Sequence, residues 1–175
     1  MLGPGDTAPD FELPAAINGS ASTIRLRDLR TDLVAVFFYP HDFSFICPTE
    51  VTGFNHDLKA FEDARCAVLG ISGDSLESHI KWAAELGGID YTLLSDADGK
   101  VARAYGVFDE KESVPLRATF VMRNDRVVVH AIACPLNVGR SVSDTLRVVQ
   151  AIETGRMCPA EWKPGIEFGP RDQKF

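Results

Sequence analysis

Two hydrophobic periods alternate along the chain. The run Leu33-Val34-Ala35-Val36-Phe37-Phe38-Tyr39 has no polar position, the pattern of a strand buried on both faces, and Pro40 closes it. Val51, Phe54, Leu58 and Phe61 then fall at offsets 0, 3, 7 and 10, one apolar stripe of a helix. Pro48 suits the first turn of that helix, because its missing N–H would have no partner there. Cys47 is therefore expected at or beside the helix N-terminus. Residues 67–72 read as the next strand. Asp74 and Glu77 form a capping-box-like start for a helix through Glu85, with Gly87-Gly88 as its stop.

The remaining elements are shorter. Residues 11–14 and 23–26 are strand-like pieces around the turn Asn18-Gly19-Ser20. Residues 91–94 read as a strand and 100–105 as a short helix. Residues 117–122 and 127–132 flank Arg123-Asn124-Asp125-Arg126, the layout of an antiparallel hairpin. Ser141 and Asp144 begin a last helix with Val142, Leu146, Val149 and Ile152 as its stripe and Gly155 as its end. The order predicts an α/β architecture with a mixed central sheet over residues 1–155. Residues 156–175 have little periodicity and read as an irregular tail of the same domain that packs on something.

Composition narrows the function. The chain has 175 residues, 45% hydrophobic and 25% charged, the mix of one soluble globular domain. Eighteen basic against 25 acidic residues give a net charge of −7, which argues against a nucleic-acid partner. The longest strongly apolar run, Leu33 to Pro40, is eight residues, against the roughly 20 that a membrane-spanning helix needs, so no membrane partner is expected. The segment Met1-Leu2-Gly3-Pro4-Gly5-Asp6 has neither a basic region nor an apolar signal core, which predicts a cytoplasmic chain.

Cysteines stand at 47, 66, 134 and 158, too sparse for a disulfide scaffold. No pair has Cys-x-x-Cys spacing, which removes the strongest zinc signature and the thioredoxin-type redox motif. His130 and Cys134 share strand-face parity, but no second pair completes a metal site. No Gly-x-Gly-x-x-Gly or Walker sequence indicates a nucleotide cofactor. No cofactor is expected: sulfur itself would supply the redox chemistry. The candidate is Cys47, where a strand end feeds a helix start. The partial positive charge and unpaired N–H groups of that helix end favour thiolate over thiol. Ser44, three residues earlier, is close enough to hydrogen-bond the sulfur or an incoming oxygen. The alternative is that Cys47 is a small buried hydrophobe after Phe45 and Ile46.

Pro40-x-x-x-Ser44-x-x-Cys47 matches the active-site signature of peroxiredoxins. The stretch Phe43-Ser44-Phe45-Ile46-Cys47-Pro48-Thr49-Glu50 resembles the form in their typical two-cysteine branch, which includes peroxidase subunits of bacterial alkyl hydroperoxide reductase. Further matches run along nearly the whole chain: Leu94-Ser95-Asp96, Val114-Pro115-Leu116-Arg117, Val138-Gly139-Arg140-Ser141 and Met157-Cys158-Pro159-Ala160-x-Trp162-Lys163-Pro164-Gly165. The resemblance implies a thioredoxin-like fold, with an N-terminal hairpin extension and the irregular tail, and reduction of hydrogen peroxide and organic hydroperoxides. It aligns Cys47 with the peroxidatic cysteine, Pro40, Ser44 and Arg117 with the rest of the active-site set, and Cys158 with the resolving cysteine, which in this branch usually reacts across a dimer interface. It further implies a disulfide-reducing partner, such as thioredoxin or a flavoprotein reductase, and a homodimer or a ring of five dimers. Ser44 stands where threonine is commoner and lacks the methyl that restricts rotamers.

Elementary chemistry agrees with these roles. A free thiol is a few per cent ionised at neutral pH, so full ionisation gains only roughly 15- to 30-fold, and an efficient peroxidase must find the rest in its transition state. Arg117 stays charged and offers a rigid fork to both peroxide oxygens. Glu50 either holds an arginine as a carboxylate pair or is a first-turn acid, and Arg140 is either a second cationic contact near Cys47 or a helix-start or interface salt bridge. Cys66 is expected in the core, Trp82 and Trp162 in packing and interfaces, and the family requires no cysteine at 134. Attack would leave Cys47 a sulfenic acid, and Cys158, 111 residues on, is expected to meet it only after local unfolding of both segments. A redox sensor or holdase chaperone on the same fold is the alternative from another class. Easily over-oxidised relatives carry a Gly-Gly-Leu-Gly insertion and a terminal Tyr-Phe pair. Gly87-Gly88-Ile89-Asp90 and the short end Phe168-Gly169-Pro170-Arg171-Asp172-Gln173-Lys174-Phe175 lack both, which predicts resistance to sulfinic over-oxidation.

Overall fold

The computed structural model describes residues 1–170. Its strands are β1 (Glu12–Ile17), β2 (Ser20–Arg25), β3 (Leu33–Phe38), β4 (Cys66–Ser72), β5 (Thr92–Ser95), β6 (Phe108–Asp109), β7 (Val114–Pro115), β8 (Arg117–Arg123) and β9 (Val128–Cys134). Its helices are α1 (Cys47–His56), α2 (Leu58–Asp63), α3 (Leu76–Glu85), α4 (Lys100–Ala104) and α5 (Val142–Thr154). Seven strands form one sheet in the order β2-β1-β5-β4-β3-β8-β9. The pairings β5–β4 and β4–β3 are parallel, and β2–β1, β1–β5, β3–β8 and β8–β9 are antiparallel.

The apolar run at 33–39 becomes β3 and lies inside the sheet, between β4 and β8, with all six strand residues buried. Alternation along it divides two cores. Val34, Val36 and Phe38 face a cluster with Phe11, Tyr105, Phe120 and Met122. Leu33, Ala35, Phe37 and Tyr39 face the helices, against Val51, Phe54, Phe61, Trp82 and Val149. Phe37 and Phe54 stack with ring centroids 4.3 Å apart. This packing fixes α1, and with it residue 47, over the C-terminal end of β3.

Several expectations change in detail. The first two strands are longer than the pieces at 11–14 and 23–26, because Asn18 (φ 48°) and Gly19 (φ 74°) make a tight left-handed turn that lets pairing run to both ends. Through β1–β5 pairing this hairpin joins the main sheet. The single helix expected over 51–61 is two, broken at Asp57, although the stripe of Val51, Phe54 and Phe61 stays buried through the break. The cap of α3 is Ser75, whose Oγ accepts the Ser78 N–H at 3.1 Å. Asp74 is engaged elsewhere, its Oδ2 accepting the Asp42 N–H at 2.9 Å and the Ser72 hydroxyl at 2.6 Å. The two-residue ribbon β6–β7 is too short to carry a period and was not expected from the sequence. Residues 156–170 are irregular, and Trp162 within them is buried. The end of the tail, Arg171 to Phe175, on which part of the over-oxidation argument rests, lies outside the described residues.

Candidate active site

Cys47 is the first residue of α1 and is fully buried. Pro48 follows in the first turn, as its lack of an N–H favours. The segment between β3 and α1 is held from below. Asp42 is buried and accepts hydrogen bonds from Tyr39 Oη at 2.9 Å and Ser78 Oγ at 2.7 Å. His79 on α3, also buried, places Nδ1 2.9 Å from the second Asp42 oxygen and Nε2 3.1 Å from the Leu94 carbonyl. Burial, and then the Asp42 charge and hydrogen bond, push the Tyr39 hydroxyl well above its ordinary pKa, so it stays a donor. Phe43, one residue on, takes a left-handed backbone (φ 53°), which turns the chain toward α1.

Around the sulfur the charged groups form one connected set. Arg117, first residue of β8, donates from Nη1 to Cys47 Sγ at 3.3 Å and to Glu50 Oε2 at 2.7 Å. Its Nε donates to the Leu136 carbonyl at 2.8 Å. Among the described residues its Nη2 has no protein partner, and it is not a sealed-off atom. Ser44 Oγ accepts the Cys47 N–H at 3.3 Å, leaving its hydroxyl hydrogen free to donate.

Glu50, one turn after Cys47, is the hub. Its Oε1 accepts the backbone N–H and Nε of Arg140 at 2.7 and 3.0 Å, and its Oε2 accepts Arg140 Nη2 at 3.0 Å besides Arg117. Burial alone would raise the Glu50 carboxyl, but the hydrogen bonds and charge of Arg140, then the charge of Arg117, outweigh it and hold the group below its ordinary value. Both guanidinium groups belong to this one carboxylate, which leaves a single positive charge in the buried set.

Arg140 does not serve as the cationic contact to Cys47 considered from sequence. Its Nη1 donates to the Ala118 carbonyl at 2.8 Å and to Thr119 Oγ1 at 3.2 Å, and Nη2 also donates to the Phe38 carbonyl at 2.6 Å. Its donors are thus spent on Glu50 and on β3 and β8, so it fixes the carboxylate that fixes Arg117. Gly139 makes this approach possible: a Cβ there would stand 3.2 Å from Ile46 Cγ2.

Pro40 is buried just past β3 and lines a cleft of about 440 Å³ with Val114 and Pro115, the pair that leads into Arg117. The structure therefore gathers Cys47, Ser44, Arg117, Glu50 and Arg140 by direct bonds. Cys158 stands apart. Its Sγ lies 3.6 Å from Thr154 Oγ1 and 3.9 Å from the Ala151 carbonyl, at the far end of α5 from Arg140. Thirteen helical residues, about 20 Å at 1.5 Å each, separate those ends. All four cysteines are free thiols. Cys66 is in the core as expected, and burial pushes its pKa up to about 12. Cys134 is half-buried and pairs in register with Arg117. Asp42 and His79 were not singled out from sequence. The signal was available for His79 alone, which lies three and four residues before Trp82 and Ala83 on the buried face of α3.

A mixed sheet that sets an isolated thiol at a helix N-terminus, with a guanidinium bonded to the sulfur, defines a thiol-dependent redox enzyme. The family model described as AhpC/TSA family matches residues 4–131. Peroxiredoxin 2 of Drosophila melanogaster is 40% identical over 168 residues, covering 90% of this chain and 87% of that protein. The reduced 2-Cys peroxiredoxin of Plasmodium vivax superposes with a TM-score of 0.87 at 33% identity, covering 96% of this chain and 93% of the other. AhpC of Mycobacterium tuberculosis superposes with a TM-score of 0.85 at 31% identity, covering 93% and 99%. The chain belongs to the AhpC/TSA family of peroxiredoxins, and its activity is that of a thiol-dependent peroxidase.

Proposed function

We propose that Cys47 is the peroxidatic thiol, that Arg117, Ser44 and Pro40 complete the catalytic set, and that Cys158 is the resolving thiol. The observation that carries the reading is the Arg117 Nη1 bond to Cys47 Sγ, made while the same nitrogen is held by Glu50. The thiolate attacks one peroxide oxygen in line with the O–O bond. An S–O bond forms, the O–O bond breaks, and water or an alcohol leaves with a proton. Charge moves from sulfur to the departing oxygen during this step. The spare Arg117 Nη2 and the Ser44 hydroxyl are placed to donate where it develops. Glu50 and Arg140 are positioning residues for Arg117.

The product is a Cys47 sulfenic acid. Cys158 condenses with it to a disulfide, which a reducing partner such as thioredoxin or a flavoprotein reductase returns to two thiols. The place of Cys158 near the end of α5, away from the bonded set around Glu50, supports reaction with Cys158 of a second copy. A homodimer or a ring of dimers, and a cytoplasmic location, belong to the same reading. Hydrogen peroxide and small organic hydroperoxides are the substrates. Among the described residues no helix is long and apolar enough to cross a membrane. The test is turnover with hydrogen peroxide and a thioredoxin system: Cys47→Ser should abolish peroxide consumption. Consumption that survives this change would overturn the reading, and single oxidation without turnover would return a sensor role.

A further inference from the structure

Helix α1 is held unequally along its length. Its start has few ties outside the charged set. Ile46, which precedes it, makes no side-chain cap, and Pro48 brings no N–H. Phe45 is 95% exposed. Thr49 bonds back within the turn, its N–H and its hydroxyl both donating to the Ile46 carbonyl, at 3.0 and 2.7 Å. From Val51 onward the helix is fastened to the body. Val51 and Phe54 are fully buried. Gly53 lies close to α5, where an added Cβ would stand 3.2 Å from Val142 Cγ2. Asn55 and Asp90 exchange two bonds: the Asp90 N–H donates to Asn55 Oδ1 at 2.7 Å, and Asn55 Nδ2 donates to Asp90 Oδ2 at 3.4 Å.

Tyr91 acts at the boundary between these halves. It is buried, its ring edge-on to Phe37 with centroids 5.9 Å apart, and its hydroxyl donates to the Val51 carbonyl at 2.9 Å. Burial pushes this hydroxyl well above its ordinary pKa, so it stays a donor. In a helix the same carbonyl also accepts the N–H four residues on, that of Asn55. The Tyr91 bond is therefore an extra one, placed on the residue directly after Glu50. Cys47 is fully buried, and a disulfide needs Cα atoms within about 7 Å, so the first turn has to open before any second thiol reaches it.

We propose that Tyr91 is a positioning residue that stops this opening at Glu50: its bond to the Val51 carbonyl keeps the rest of α1 wound, so that Glu50 still holds Arg117 and Arg140 while Cys47 stands in the disulfide. The proposal rests on the reading of Cys47 and Cys158 as the disulfide-forming pair. In that oxidation one hydrogen peroxide and the two thiols give one disulfide and two waters. The carboxylate and its two guanidinium groups then stay assembled for the next peroxide, and reduction leaves a single turn of helix to rewind.

The Arg140 backbone N–H donates to Glu50 Oε1 at 2.7 Å, so its exchange reports on that set, and the Asn55 N–H reports on the Val51 carbonyl. The experiment follows deuterium exchange of single amides in reduced protein and in protein oxidised with one equivalent of hydrogen peroxide. On oxidation the Thr49 N–H should lose protection, while the Arg140 and Asn55 N–H groups keep theirs. Tyr91→Phe removes the hydroxyl alone. It should speed exchange at Arg140 and Asn55 by about fivefold in the oxidised protein, the scale of one net hydrogen bond. In the reduced protein the change should stay under about twofold, because there the closed first turn also holds the helix. A residue that merely supported the fold would change both states alike. Asn55→Ala deletes the clasp to Asp90 at the surface. It should speed Arg140 exchange by about twofold to threefold in the oxidised state, and it carries the test if Tyr91→Phe does not fold. Equal loss of protection at Thr49 and Arg140 in oxidised wild-type protein, no effect of Tyr91→Phe, or equal effects in both states overturns the proposal. Absence of a disulfide between Cys47 and Cys158 in the oxidised wild type would instead overturn the reading on which it rests.

Discussion

At the scale of residues, the arrangement around Cys47 makes rate separable from ionisation. Arg117 is bonded at once to the sulfur, to Glu50 and to the Leu136 carbonyl, so its fork is fixed before peroxide arrives. Such preorganised donors contribute most where charge moves, from sulfur to leaving oxygen. Arg117→Ala is expected to lose at least about a hundredfold in the rate of Cys47 oxidation. Stopped-flow rates compared at a pH where both thiols are fully ionised decide it, and equal rates there would refute the role. Glu50 makes a second prediction, about pH. Its folded pKa is depressed, so the stability it contributes is fully present above its unfolded value, 4.5, and is lost as pH falls through the lower folded value. Glu50→Gln leaves two buried guanidinium groups with no carboxylate and should cost about 3–5 kcal/mol at pH 7 in urea unfolding. The gap to the unsubstituted protein should narrow as pH falls below 4.5, and a gap independent of pH would contradict the ion-pair reading. Cys66, its pKa pushed up to about 12 by burial, should resist alkylation at pH 8 in the folded protein and react once it is unfolded, as mass mapping would show.

At the scale of elements, what could be read beforehand was what local pattern determines. The unbroken run at 33–39 predicted a strand covered on both faces, and Pro48 with the stripe of Val51 and Phe54 predicted a helix whose N-terminus lies at or beside Cys47, where α1 does begin. Glu50 one turn on could then be seen as a carboxylate for an arginine. The motif match singled out Arg117 for the active site, but that Arg140 would bind the same carboxylate instead of the sulfur was left open, because both arginines come from distant segments and tertiary structure decides which guanidinium reaches the sulfur. The cap of α3 shows the same limit at shorter range. Asp74 and Ser75 are both good caps, and the tie from Asp74 to the Asp42 N–H, set by tertiary structure, frees Ser75 for the role. Ser75→Ala should therefore cost about 1 kcal/mol in urea unfolding with Cys47 oxidation unchanged. Asp74→Ala should alter the Cys47 oxidation rate as well, since it releases the segment that carries the site. If the two variants behaved alike, the assignment of the cap would be wrong.

At the scale of the molecule, α5 is the element that decides how the cycle closes. Arg140, just before its start, is locked to Glu50, while Cys158 rests against the carbonyl of Ala151 near its end, so the helix stands between Cys158 and the bonded set around Glu50. A disulfide needs Cα atoms within about 7 Å, and moving α5 would break the buried pair that positions Arg117. A second copy can present its own Cys158 without disturbing the first copy's α5. Mixing tests this without a structure of the dimer. Cys47→Ser chains and Cys158→Ser chains are each inert in disulfide formation, and each retains the thiol that the other lacks. If resolution crosses subunits, co-refolding equal amounts makes about half the dimers mixed, each with one complete centre, or about a quarter of the wild-type disulfide yield. If resolution stays within a chain, no mixture recovers any. Intact mass of the non-reduced mixture distinguishes the two, because the recovered disulfide joins one chain of each kind, at the summed mass of the two variants.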